Sequence, residues 1–135
     1  MGVVIDTCIW IDVERGRLSP ADVQGFTGSE PVFMTPVTIA ELTYGAEVAV
    51  DDNVRQRRIA ALERLKKKPT LIIDEETGVI FGRLSASLKS RMRGADFRIQ
   101  DLWIASLAIQ HGFSVLTRNV RDFEDIPGLQ LIALA

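Results

Sequence analysis

Residues 3–10, Val3-Val4-Ile5-Asp6-Thr7-Cys8-Ile9-Trp10, carry the decisive reading of this chain. An apolar run suited to a buried strand is followed at once by an aspartate, and then by a pattern that suits a short helix. An ionised carboxylate at the margin of a core is unfavourable unless a helix N-terminus, a hydrogen-bond network or a metal ion compensates it. A strand that hands over to a helix in this way opens an α/β unit. In open parallel sheets, ligands bind beyond the carboxyl ends of the strands, near a topological switch point. Asp6 therefore stands either as the cap of the next helix or as part of a site.

Working outward, short apolar runs recur at 32–34 (VFM), 71–73 (LII), 114–116 (SVL) and 130–132 (QLI). Helical patterns lie between most of them, over 7–14, 20–27, 36–48, 53–67, 75–92 and 99–111. Ser19-Pro20 and Thr35-Pro36 each supply a cap and a first helical residue. Asp74 caps the helix that follows it, in which Ile80, Leu84, Leu88 and Met92 recur at four-residue spacing and which Gly94 ends. From Leu102 to Ile109 only Ser106 is polar, so that helix is expected to be buried. The alternation predicts one α/β domain over 1–135, built around a five-stranded, mainly parallel sheet.

The totals narrow the class. Of 135 residues 47% are hydrophobic, ordinary for a globular chain. No apolar run approaches the ~18 residues of a membrane span, and no signal peptide opens the sequence. A single cysteine excludes an internal disulfide and makes a reducing, cytoplasmic setting the expectation. Net charge is −2, but residues 55–98 hold 12 of the 16 basic residues against 5 acids, while the rest is strongly acidic. A basic middle between acidic ends suits a protein that draws in a polyanion and keeps a carboxylate site for cations, although solvated helix faces give the same pattern.

Two further acids sit where a fold would prefer apolar groups. Glu41 falls within a stripe formed by Val37, Ala40, Tyr44 and Val48; the alternative is a helix rotated so that Ile39, Leu42 and Ala46 face inward. Asp101 lies in the first turn of the apolar helix, where the dipole favours its anion and a capping role is the alternative. If Asp6, Glu41 and Asp101 converge, their mutual repulsion calls for a hard divalent cation, Mg²⁺ or Mn²⁺. Such an ion takes oxygen ligands, retains waters and often uses only one or two carboxylates directly.

The segments VVIDTCIWID, TPVTIAELTYGAE, IQDLWIASLAIQHG and VLTRNVRDF resemble, in order and spacing, the PIN-domain ribonucleases, and most closely the VapC toxins of toxin–antitoxin pairs. The likeness spans nearly the whole chain. It implies a three-layer α/β/α fold and endonucleolytic cleavage of RNA by water activated at Mg²⁺ or Mn²⁺, leaving 5′-phosphate and 3′-hydroxyl ends. It also implies a homodimer and inhibition by a cognate VapB-like antitoxin whose C-terminal segment covers the acidic groove. The family's acids fall on Asp6, Glu41 and Asp101. Asp6 and Asp101 would be the main metal ligands, with Glu41 in direct or water-mediated contact. The fourth position departs from the pattern: TRN places Asn119 where many members have an aspartate. Asn119 adds no charge, and Asp122 would replace the acid if a helical turn brings it inward. Thr7 and Thr117 would orient water or phosphate, and Arg93, Arg98 and Arg118 would contact RNA. The missing acid keeps a second reading open, a PIN-like module that binds RNA or protein with little cleavage.

Cys8 has no arginine six residues on and one histidine in the whole chain to pair with, so it reads as a packed side chain. His111 before Gly112 is an ordinary helix end. Trp10 and Trp103 read as core or subunit-interface residues. Haloacid-dehalogenase and receiver chemistries need a second acid after the first strand or supporting motifs around Asp74, which the sequence lacks.

Overall fold

A computed structural model describes residues 1–90 and 98–134. The first strand, β1 (Val3–Ile5), hands over at Asp6 to α1 (Thr7–Glu14). α2 (Pro20–Thr27) follows, opened by a reciprocal capping box between Ser19 and Asp22, and leads to β2 (Val32–Phe33). Thr35 caps α3 (Pro36–Glu47) through the Thr38 N–H, with Pro36 at the first helical position. α4 (Asp52–Leu65) is capped by Asp51, and α5 (Glu75–Ser90) by Asp74, which accepts from the Thr77 N–H at 3.1 Å. α6 (Ile99–His111) ends at Gly112, whose φ of 71° is the left-handed conformation that glycine supplies at a helix end. β3 (Ser114–Thr117), a 3-10 turn (Val120–Asp122) and β4 (Gln130–Ala133) complete the chain.

The strands form one parallel sheet in the order β2-β1-β3-β4. β1 pairs with β2 on one side (Val3 with Val32) and with β3 on the other (Ile5 with Leu116), so the strand order reverses at β1. Period-two alternation divides the core. Val4 and Val115 face the layer that includes Leu84, Leu88, Leu102 and Ala105 of α5 and α6; Val3, Ile5 and Leu116 face Ile9, Trp10 and Val23 of α1 and α2. Helices thus cover both faces, the three-layer arrangement expected. α6 is buried along Leu102 and from Ile104 to Ala108, and Trp103 stacks on Phe81 of α5 with ring centroids 3.9 Å apart.

Two expectations are corrected. The sheet has four strands among the described residues, not five. The 71–73 run contributes only a bridge between Met34 and Thr70, flanked by Met34 N–H to Pro69 O and Leu71 N–H to Met34 O, both 2.8 Å. Leu71 turns into the core, but Ile72 is 73% exposed, so the chain leaves the sheet after one paired residue. The α3 stripe is the other correction: Tyr44 (69%) and Val48 (53%) face solvent. Ile39 and Leu42 pack on the α1 layer and Ala46 is buried, the alternative rotation. Met92 and Gly94, placed at the end of the fifth helix, lie outside the described residues.

Candidate active site

The carboxyl end of β1 is the natural place for a site, because β2 and β3 diverge there. Asp6 is 5% exposed and is held from three sides. Its Oδ1 accepts the Thr7 N–H at 2.8 Å, which makes it the cap of α1; its Oδ2 accepts the Thr117 hydroxyl at 2.8 Å and the Cys8 thiol at 3.4 Å. The Asn119 N–H donates in turn to Thr117 Oγ1 at 2.9 Å, so the end of β3 is folded onto the end of β1. Burial nevertheless raises the Asp6 pKa above its usual value, and the charge of Asp122 adds to this against the three hydrogen bonds.

Glu41 is half-buried despite the rotation of α3. Its Oε1 accepts the Thr7 hydroxyl at 2.8 Å, and Thr7 Oγ1 also lies 3.0 Å from the Thr38 hydroxyl. An ionised carboxylate only accepts, so Thr7 spends its one proton on Glu41 and takes the Thr38 proton, giving a directional relay of buried hydroxyls. Burial raises the Glu41 pKa, opposed by the Thr7 bond and reinforced by Asp6.

Asp101 caps nothing: Arg98 is the N-cap of α6, and no hydrogen bond holds the Asp101 carboxylate among the described residues. Its carboxyl is pushed up to about 7, first by burial and then by the charges of Asp6, Asp122 and Glu41, with Arg98 opposing. Asp101 therefore lies within the fields of Asp6, Asp122 and Glu41, and Asp6 within that of Asp122. Asp122 enters through the 3-10 turn and is half-buried, whereas Asn119 is exposed and supplies its backbone N–H to Thr117.

An all-oxygen donor set that repels itself fits a hard divalent cation. Among the described residues no three acid, cysteine or histidine side chains converge closely enough to enclose one ion. The fit is to a cation held directly by one or two carboxylates, with waters reaching the others. Burial and Asp6 push the Cys8 thiol up to about 11, which leaves it un-ionised and unsuited to nucleophilic chemistry at neutral pH.

The expected RNA contacts fare differently. Arg98 is 3% exposed and forks onto Asp125, with Nη1–Oδ2 2.9 Å and Nη2–Oδ1 2.7 Å, so its guanidinium does not face solvent. Arg118 is half-exposed and paired with Asp12, a carboxylate buried in α1 that also meets Arg17 at 3.5 Å. Arg93 lies outside the described residues. Thr7 and Thr117 bond to carboxylates. Sequence reading missed Thr38, Asp12 and Asp125. Asp12, an acid set among Ile9, Trp10, Ile11 and Val13, was a visible signal; Thr38 was not, because only the packing of α3 on α1 brings its hydroxyl to Thr7.

A parallel α/β domain with carboxylates gathered beyond the ends of its central strands is the class of protein that this fold and site define. A sequence profile of the PIN domain matches residues 3–129, and the chain belongs to that family. It is similar to Ribonuclease VapC1 of Rickettsia felis, 31% identical over 137 residues, covering 100% of this chain and 98% of the relative. Ribonuclease VapC5 of Mycobacterium tuberculosis is 34% identical over 126 residues, 93% of this chain and 87% of the relative. Among solved structures, VapBC-5 of Mycobacterium tuberculosis, a member of the VapBC family of toxin–antitoxin systems, superposes with a TM-score of 0.79 at 26% identity over 99% of this chain and 100% of that one.

Proposed function

We propose that the chain is the toxin of a VapBC-type pair, an endoribonuclease dependent on Mg²⁺ or Mn²⁺. The observation that carries this reading is the Asp101 carboxyl, pushed up to about 7 beside Asp6, Asp122 and Glu41. One buried and three half-buried acids around one strand end repel one another at neutral pH, and a cation relieves that repulsion. Similarity over nearly the full length to ribonucleases supports the reaction class.

Asp6 and Asp101 would hold the ion, and Glu41 would reach it directly or through water. When bound, the ion would supply charge neutralisation at the phosphodiester and a bound water more acidic than bulk water. The chain keeps these acceptors aimed: Thr117 and the Thr7 N–H fix the two oxygens of Asp6, and the Thr7 hydroxyl fixes Glu41. Hydrolysis forms a bond from water oxygen to phosphorus and breaks the bond to O3′, leaving a 5′-phosphate and a 3′-hydroxyl. Asp122, rather than Asn119, completes the acidic set.

A VapB-like antitoxin is the proposed partner, its C-terminal segment covering the acidic groove. The likeness to VapBC-5, a member of a toxin–antitoxin family, supports an antitoxin partner. So does a small apolar pocket that adjoins Glu41 between Trp10, Leu42, Arg58 and Leu62. The exposed α3 face around Tyr44 and Val48 supports a homodimer. Among the described residues no helix is long and apolar enough to cross a membrane, and an RNA substrate fits a cytoplasmic setting.

The test is cleavage of cellular RNA by purified, antitoxin-free protein with Mn²⁺ or Mg²⁺, beside EDTA and an Asp101→Asn control. Discrete fragments lost in both controls are expected. Intact RNA with folded wild-type protein, including RNA from the source organism, would overturn the nuclease and favour a binding module.

A further inference from the structure

Arg98 departs furthest from a surface role. Its guanidinium is buried, forked onto both oxygens of Asp125, and its Nη2 donates in addition to the Asp122 carbonyl. Its own carbonyl accepts the Leu102 N–H at 2.9 Å, which anchors it to the first turn of α6 three residues before Asp101. Arg98 therefore ties the start of α6 to residues 122–125, beside the packing of Phe123 into the core that also holds Leu102. Among the described residues, the backbone hydrogen bonds of Asp122, Phe123 and Glu124 are local, back to Asn119 and Val120. A bidentate guanidinium fixes orientation as well as distance, which an ammonium does not.

We propose that Arg98 is a positioning residue for Asp122: by gripping Asp125 and the Asp122 carbonyl it holds the Asp122 carboxylate toward Asp6 and Asp101, so that cation affinity depends on a side chain that touches neither cation nor RNA. The inference rests on the metal-nuclease reading. It explains why an arginine is buried beside the site rather than presented to the substrate. It also explains how a chain with Asn119 in the family's fourth acidic position still assembles four carboxylates.

The test is Mn²⁺ binding, measured by water-proton relaxation on wild type, Arg98→Lys, Asp122→Asn and the double variant. Arg98→Lys is expected to weaken Mn²⁺ binding about tenfold, the usual size of an outer-shell effect, and to change it less than about twofold once Asp122 is already Asn. Asp125→Asn, which loosens the same grip from the other side, is expected to weaken binding in the same direction and serves if Arg98→Lys unfolds. Equal affinity in folded wild type and both grip variants overturns the inference alone. An equal loss in both Asp122 backgrounds also overturns it, because Arg98 would then act as a general staple. Absence of Mn²⁺ binding by wild type would overturn it together with the metal reading, and RNA cleavage by wild type reports separately on the nuclease.

Discussion

Asp6 combines two roles that its position presents as alternatives: it caps α1 through Oδ1 and keeps Oδ2 at the carboxyl end of the sheet under Thr117 and Cys8. Among the described residues Asp101 has no such support, and the contrast is testable by pH. Its folded pKa, about 7, lies above the ordinary 3.8. Between those values the folded protein binds the proton more tightly than the unfolded chain, so stability without cation falls as pH rises through this window. Asp101→Asn is therefore expected to stabilise the metal-free protein at pH 8 by about 1–2 kcal/mol after solvent screening, with little gain near pH 4; urea melts in EDTA at the two pH values check it. Thr7→Val removes the hydroxyl from Glu41 and is expected to reduce cleavage about tenfold or more, with Thr7→Ser restoring most of it, read in initial rates. Asp6 and Asp101 were legible because each is an acid at the start of a helix that the surrounding apolar pattern locates. Thr38 was not, since a buried hydroxyl shows itself only when α1 and α3 are brought together.

At the scale of elements, α3 shows how a weak amphipathic pattern misleads. Apolar residues lie on both of its faces, and the exposed Tyr44 and Val48 look as core-like in sequence as the inward Leu42 and Ala46. Glu41 still reaches the site because it borders the inward face. The 71–73 run misled similarly: three apolar residues suffice for a strand pattern, yet pairing with the β2 side ends at the Met34–Thr70 bridge. Arg98 and Asp125 are 27 residues apart, beyond any local periodicity, and only the docking of α6 on the 3-10 turn makes them a pair. Breaking that pair from one side takes away the fork that a buried guanidinium makes onto Asp125 and its bond to the Asp122 carbonyl. Arg98→Met is expected to lower stability by about 3 kcal/mol, while Arg121→Met, an exposed cation in the same region, changes it by less than about 0.5 kcal/mol, both measured from urea midpoints.

Across the whole molecule, helices on both faces leave the carboxyl edge of the sheet as the place where acids accumulate. Their repulsion is a standing cost in the free protein. A cation that binds there stabilises the folded state by about 2.7 kcal/mol at a hundredfold excess over its dissociation constant. Mn²⁺ is therefore expected to raise the thermal midpoint of wild type, EDTA to reverse this, and Asp6→Asn with Asp101→Asn to abolish the response. The sheet order carries a consequence for synthesis. β1 is made before both strands that flank it, β2 and β3, and Asp6 is fastened by a hydroxyl 111 positions later. Contacts so distant in sequence form only when the chain between them is complete. A polypeptide still emerging from the ribosome carries Asp6 and Glu41 without the framework that aims them. On the nuclease reading, competence to cut RNA is expected only after Thr117 has cleared the ribosome, and a product truncated before it is expected to leave RNA untouched.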